Sequence, residues 1–193
     1  MRLKGMRIAV LGGITAVCCS GAAFGQNCAG GSMAHGGSGS AAQDKMFLAK
    51  ATEGSMAEIQ MSQLALKKTK NDDVKAIAQK MVDDHTKLMS DMKPFADQMG
   101  VTPPAKLNAK HQQEAMRLKA MSGDKFDKEY LTAMVGDHHK DLGEFQVEEK
   151  STGNAELKST VSQATQVIQQ HTEMIDQSAQ KMGITVPPMP SAM

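Results

Sequence analysis

Residues 74–99, VKAIAQKMVDDHTKLMSDMKPFADQM, contain one apolar stripe at helical spacing. Its members recur every three or four residues, and they are Val74, Ile77, Met81, Leu88, Met92, Phe95 and Met99. This spacing is typical of an amphipathic α-helix. His85 occupies the place between Met81 and Leu88 where an apolar residue is expected. The pattern therefore predicts an imidazole that is directed at the protein core.

Three further segments carry the same kind of stripe, and each contains one polar residue on its inward face. Their predicted ranges and polar members are 44–70 with Glu58, 124–151 with His138 and 154–182 with His171. We expect Asp44, Asp124 and Asn154 to cap the N-termini of these helices. Pro94 should bend the helix of residues 74–99 without ending it, because the stripe continues beyond it.

The order of these segments predicts the fold class. Four long amphipathic helices, plus a short one over about residues 108–121, indicate an all-α, ferritin-like up-down-up-down four-helix bundle with a short extra helix between helices 2 and 3. The bundle should span residues 44–183 and be followed by a Pro-rich tail over residues 184–193. His111, near the start of the short helix, is expected to be exposed.

The N-terminal region has the features of export. Residues 1–25 combine a basic start, an apolar stretch too short to span a membrane and a small-residue cleavage site, which predicts a secretory signal peptide. Residues 26–43 are Gly/Ser-rich and are predicted to be a flexible linker. We expect a periplasmic or otherwise exported protein with no transmembrane span in the mature chain; association with the outer membrane is an open alternative.

Removal of the signal peptide leaves 19 basic against 21 acidic residues, a net charge of −2. This charge argues against a nucleic-acid partner. It also leaves Cys28 as the single cysteine, which excludes an intramolecular disulfide in the mature chain. Cys28 is interpreted as a solvent-exposed thiol, with a lipid-linked or intermolecular disulfide-linked form as alternatives.

The four polar residues of the stripes should meet at one level of the core. Glu58, His85, His138 and His171 each lie near the midpoint of their helix, and midpoints coincide in an antiparallel bundle. One carboxylate and three imidazoles suit a first-row transition metal such as zinc, manganese, iron or copper. The alternative is a hydrogen-bonded polar cluster that fixes helix register without a metal.

The neighbouring residues refine this prediction. Asp84, Asp137 and Asp141 flank the histidines and are candidate outer partners, whereas His139 should lie on the rim. A typical di-iron site requires Glu-x-x-His on two helices, but the residues three before the histidines are Val82, Val135 and Ile168. The 17 methionines are interpreted as flexible core filler, with Cu(I) ligation as a minority alternative.

The sequence motifs resemble those of a known bacterial family. The motifs are Phe47 with Glu58, residues 81–85 (MVDDH), residues 126–131 (FDKEYL), residues 134–138 (MVGDH) and a late His171. They are similar to a ferritin-like family of unknown function whose members are often labelled outer membrane proteins. The resemblance implies a ferritin-like bundle and a location in the cell envelope. The family lends no activity.

Three functional hypotheses follow. The first is an exported bundle that binds a metal ion through Glu58, His85, His138 and His171 and serves envelope stress defence or metal handling. The second is a non-catalytic envelope protein with a purely structural polar cluster and a protein partner. An enzyme with a redox metal is the least favoured, because the sequence contains no nucleophile–base motif and no phosphate-binding loop.

Overall fold

The computed structural model describes residues 38–190, and this part of the chain contains five helices and no strand. The helices are α1 (Ser38–Lys68), α2 (Asp72–Gln98), α3 (Ala109–Ala120), α4 (Gly123–Ser151) and α5 (Ala155–Lys181). The all-helical fold class is thus confirmed. The predicted signal peptide, residues 1–25, and Cys28 lie outside the described residues. No helix among the described residues is long and apolar enough to cross a membrane.

Local sequence signals place most helix boundaries correctly. Asn71 and Asn154 cap α2 and α5, because their side-chain oxygens accept hydrogen bonds from the first free backbone N–H groups. Gly100 and Gly183 follow the same helices with φ of 64° and 74°, a conformation that glycine adopts without strain. Pro94 lies inside a continuous α2, as expected. At α4 the prediction is wrong: Ser122, and not Asp124, is the N-cap residue.

The start of α1 also differs from the prediction. The helix begins at Ser38, so the last residues of the predicted linker are helical and Asp44 is not an N-cap. Asp44 is buried and accepts a hydrogen bond from Thr152 Oγ1 at 3.1 Å. Burial and the neighbouring carboxyl of Asp44 raise the pKa of Glu148 to about 7, against the weaker effect of Gln43. These carboxyl groups attach the first turns of α1 to the end of α4.

The chain direction of the helices differs from up-down-up-down. Contacts between α1 and α4 join Lys50 to Glu144 and Ser62 to Tyr130, so these two helices are antiparallel. Lys181 contacts Asp73 at one end of the α2–α5 pair, and His171 contacts Asp84 near its middle. Helices α2 and α5 are therefore also antiparallel. Since α1–α2 and α4–α5 are hairpins, α2 and α4 run in the same direction. The order is up-down-down-up.

A long crossover produces this order. Gly100, just after α2, lies beside Lys45 near the start of α1. At the other end of α1, Lys68 Nζ donates to the carbonyl groups of Leu118, Lys119 and Met121. Helix α3 therefore returns the chain along the length of the bundle. The predicted up-down-up-down order is therefore wrong, because helical periodicity carries no information on chain direction.

The core consists of two apolar clusters. One lies toward the C-terminal end of α1 and includes Met61, Met81, Tyr130, Met134 and Ile175. The other lies toward the N-terminal end of α1 and includes Leu48, Met92, Leu142, Val161 and Ile168. The buried methionines pack among these aliphatic and aromatic side chains, in agreement with their interpretation as core filler. The start of the Pro-rich tail, with Ile184 and Val186, packs against the first cluster.

The raised pKa of Glu148 predicts a pH dependence of stability. The folded state retains a proton that the unfolded state loses between the ordinary glutamate pKa of 4.5 and about 7, so folding stability decreases as pH rises through this window. Glu148→Gln should remove this loss. Urea denaturation gives the difference in free energy of unfolding between this variant and the parent protein. This difference should be about 1–3 kcal/mol larger at pH 8 than at pH 4.5.

Glu173→Gln, on the exposed face of α5, is the matched control and should not alter the pH profile. A constant difference in stability between Glu148→Gln and the parent protein across this pH range would contradict the assignment.

Candidate metal centre in the bundle core

The four predicted site residues lie between the two apolar clusters. Each long helix contributes one: His85, His138 and His171 fall within the gap between the cluster members of their own helix, and Glu58 directly follows Ala57, the first member of the first cluster on α1. None of the four is more than 3% exposed. The level of the core at which they meet is thus a thin polar layer enclosed by apolar side chains above and below.

The four side chains are in direct contact. Glu58 Oε2 lies 2.9 Å from His85 Nε2, and Glu58 Oε1 lies 3.2 Å from His138 Nδ1. The three imidazole centroids are 5.4–5.6 Å apart. One ring nitrogen from each histidine can be chosen so that all three lie within 4.8 Å of one another. The structure therefore brings together all four residues that the sequence singled out.

Each imidazole is held from outside by a hydrogen bond. His171 Nε2 donates to Asp84 Oδ2 at 2.7 Å, and His138 Nδ1 donates to the carbonyl oxygen of Met134 at 3.1 Å. His85 Nδ1 lies 3.3 Å from the hydroxyl of Ser55. A carboxylate, a carbonyl and a hydroxyl thus fix the orientation of the three rings. Outer partners of this kind fix the tautomer of metal-binding histidines in proteins.

The inward-facing polar atoms lack aligned hydrogen bonds. They are both carboxylate oxygens of Glu58, Nε2 of His85, Nε2 of His138 and Nδ1 of His171. Even the 2.9 Å contact between Glu58 and His85 is not aligned for a hydrogen bond. Unpartnered buried polar atoms are costly and rare in native proteins. The three imidazoles can each contribute one nitrogen to a group whose atoms lie within 4.8 Å of one another, a spacing that fits a metal ion, and the Glu58 carboxylate lies beside two of the rings.

The charges of the site interact strongly. Burial raises the pKa of Glu58, but His138 and His85 outweigh burial and lower it to about 2. Burial lowers the pKa of His85, yet the charge of Glu58 outweighs burial and raises it. Burial lowers the pKa of His138, and burial together with His138 lowers that of His171 to about 4. At neutral pH Glu58 is therefore a carboxylate and His138 and His171 are neutral imidazoles, whereas His85 is the histidine whose protonated form the site favours.

The predictions for the flanking residues have different outcomes. Asp84 is an outer partner of His171, as expected. Asp141 lies near the site, where burial and the charge of Glu58 raise its pKa to about 7 against the effect of Lys140. Asp137 faces away from the four core residues and pairs with Lys110. The spacing of residues along the sequence cannot distinguish these orientations, because the orientations depend on the tilt of α4 against its neighbouring helices.

Two expectations of exposure are wrong. His139 is buried, and its Nε2 lies 2.9 Å from Asp176 Oδ2 on α5. His111 is also buried, because α3 packs on the bundle, and its Nδ1 lies 2.9 Å from Glu53 Oε1 on α1. The sequence analysis also missed Ser55. Its position three residues before Glu58, on the same face of the helix, was the available signal.

The fold and the site define a class of protein: an all-helical bundle with a buried cluster of histidine and carboxylate side chains. Residues 31–191 match the family described as a domain of unknown function, DUF4142, and the chain belongs to this family. Among curated proteins, none matches the chain.

Two solved structures share the fold. A DUF305 fragment from Deinococcus radiodurans superposes with a TM-score of 0.63 at 12% identity, covering 72% of this chain and 96% of that one. A DUF305 protein from Streptomyces coelicolor, named as a secreted protein, gives a TM-score of 0.58 at 14% identity and covers 75% of this chain and 96% of its own. At these identities the similarity concerns the fold alone.

The charge state of the cluster can be tested without a metal. Glu58→Gln removes the anion that contributes most to raising the pKa of His85, so burial, opposed only by the weaker charges of Asp141 and Asp84, should then lower this pKa relative to the parent protein. The measurement is an NMR pH titration of the His85 imidazole in metal-free protein. Glu173→Gln is the control and should leave the titration unchanged. A His85 pKa that stays raised in Glu58→Gln would show that another group stabilises its proton.

Proposed function

We propose that this protein is an exported, ferritin-like bundle that binds one first-row transition-metal ion in its core and serves metal handling or stress defence in the cell envelope. The ligands are Glu58, His85, His138 and His171. The ion is zinc, manganese, iron or copper, since imidazole and carboxylate donors suit all four.

The orientation of the imidazoles carries the proposal. Each ring has one nitrogen within hydrogen-bond distance of Ser55, Met134 or Asp84, and its other nitrogen is buried without an aligned hydrogen bond. A purely structural polar cluster would be expected to satisfy its members with one another, because a buried polar atom without a partner costs free energy. Donors that face one point without bonding to each other are the arrangement that a metal ion requires.

The charge of the site also supports a metal. His138 and His171 are neutral at pH 7, and neutral imidazole is the form that binds metal. An entering cation competes with protonation of His85 beside the Glu58 carboxylate, so metal binding should weaken as the pH falls. With a single carboxylate among the ligands, this donor set differs from the carboxylate-rich di-iron sites of ferritin-like proteins.

A surface cleft supplies a route to the site. A cleft of about 170 Å³ lies between α2 and α5, and Asp84 is part of its lining together with Leu88, Met92, Thr160, Ala164 and Val167. The same Asp84 carboxylate accepts the hydrogen bond of His171. Asp84 thus lies between the cleft and the buried imidazole, where it orients His171 and also pairs with Lys80 Nζ at 2.7 Å.

Topology and sequence support the rest of the proposal. The long crossover between α2 and α4 is the connection that ferritin-like bundles use. Export is supported by the signal-like residues 1–25 and by the name of the S. coelicolor protein. The competing hypothesis, a structural cluster in an envelope protein with a protein partner, draws on the close Glu58–His85 ion pair.

Metal analysis of the protein purified after export tests the proposal. We expect about one equivalent of metal in the parent protein and its loss from His85→Ala and His171→Ala, each of which removes one ligand. His139→Gln is the matched control, because His139 is also buried and bonded to a carboxylate but lies outside the core site. A metal-free parent protein that takes up none of the four ions, with variants that are merely less stable, would favour the structural alternative.

The outer partner offers a second test. Asp84→Asn retains the size of the side chain but weakens the hydrogen bond that orients His171. Loss of such a partner costs about 10–100-fold in metal affinity. A chelator competition assay should show this decrease in affinity, with an unchanged circular dichroism spectrum. Asp91→Asn, on the same cleft, is the control and should bind as the parent does. Equal affinities of the parent and Asp84→Asn would exclude this role for Asp84.

A further inference from the structure

A second cluster of metal-binding side chain types lies where α3 packs against α4. His111 and Glu114 are one turn apart on α3, and Asp137 faces them from α4. The side chains of Glu114 and Asp137 are buried, with 9% and 6% of their surface exposed, and that of His111 is 11% exposed. One donor atom from each lies within 4.8 Å of the others. None of the four core ligands belongs to this cluster, so the proposed core site leaves it without a function.

The imidazole of His111 is oriented as in a metal site. Its Nδ1 lies 2.9 Å from Glu53 Oε1, and a carboxylate can only accept a hydrogen bond, so Nδ1 carries the proton. Asn108 donates its backbone N–H and its side-chain amide to the same carboxylate and holds it in place. The other nitrogen of His111, Nε2, is then a free acceptor that lies 3.9 Å from Asp137 Oδ1.

The cluster contains more negative than positive charge. Lys110 Nζ pairs with Asp137 Oδ1 and lies 3.0 Å from Glu114 Oε1. The second oxygens of both carboxylates, Glu114 Oε2 and Asp137 Oδ2, are buried and have no hydrogen-bond partner. One ammonium thus faces two carboxylates, with the carboxylate of Glu53 behind His111. The Lys110 side chain is 56% exposed, so it can move into solvent and leave the position between the carboxylates to another cation.

We propose that His111, Glu114 and Asp137 form a second site for a divalent cation of the zinc type, and that the ammonium of Lys110 occupies the position of the ion when the ion is absent. One imidazole and two carboxylates, with a fourth position open to water, are a donor set that zinc accepts. Zinc bonds of about 2.0–2.2 Å require donors roughly 3.4 Å apart, so small rotations of the three side chains complete the site.

Such an ion would join α3 to α4. Helix α3 is short, and a metal bound only by the folded state stabilises that state by mass action. The crossover would therefore be fixed more firmly in zinc-rich surroundings. This function does not depend on metal binding in the core.

Zinc titration of the full mature chain tests the site, with Lys110→Met as the central variant. This change removes the competing cation while retaining an unbranched side chain, and it should increase zinc affinity at the second site at least 10-fold. Lys106→Met, at an exposed position just before α3, is the matched control and should bind as the parent does. Calorimetry gives affinity and stoichiometry, and the zinc-dependent shift in melting temperature gives an independent readout.

Ligand variants separate the two sites. In the Lys110→Met background, His111→Ala and Asp137→Asn should each remove one equivalent of zinc, whereas His171→Ala should leave this equivalent in place. If only the core site fails to bind zinc, the equivalent that His171→Ala would remove is missing from the start, and the equivalent bound at the second site remains. The second site is refuted if Lys110→Met gains no zinc affinity over the parent, or if its zinc survives both His111→Ala and Asp137→Asn.

Discussion

The Glu58 carboxylate in the centre of the bundle is the constraint on which the rest of the structure depends. Removing a charged group from water is costly unless partners compensate it. Here three imidazoles surround the carboxylate, and each comes from a different helix. All four helices must therefore hold their relative axial positions, because a shift of one turn would place an imidazole in an apolar cluster. The polar layer fixes helix register whether or not a metal occupies it.

The same physical device occurs at both proposed sites. An acceptor outside the site takes the N–H of an imidazole, and the second nitrogen is thereby directed inward: Asp84 acts on His171 and Glu53 acts on His111. Helix α4 contributes to both sites with adjacent residues. Asp137 and His138 point about 100° apart around the helix, so one faces the crossover helix and the other faces the core. The second site depends on the crossover, which places α3 beside α4, whereas the core residues meet because each lies near the middle of its helix.

The sequence predicted the elements of the fold well and their arrangement only in part. Apolar periodicity located α2 and α5 and their Asn and Gly boundaries, because caps and stripes depend on residues within a few positions of each other. The same local rules failed at Asp44, where a contact with Thr152 over 100 residues away turns an apparent cap into a buried helical residue. They also failed to give the direction of α4, which depends on the path of the crossover.

The sequence by itself determined that Glu58, His85, His138 and His171 face the core and share one level. Helical geometry fixes the face and the height of a side chain from its position in the chain alone. Only the tertiary structure decided which imidazole nitrogen points inward, which acidic residue supports which histidine and that His111 meets Asp137. These features depend on ring rotation, helix tilt and the contacts between distant segments, and none of them has a local signal.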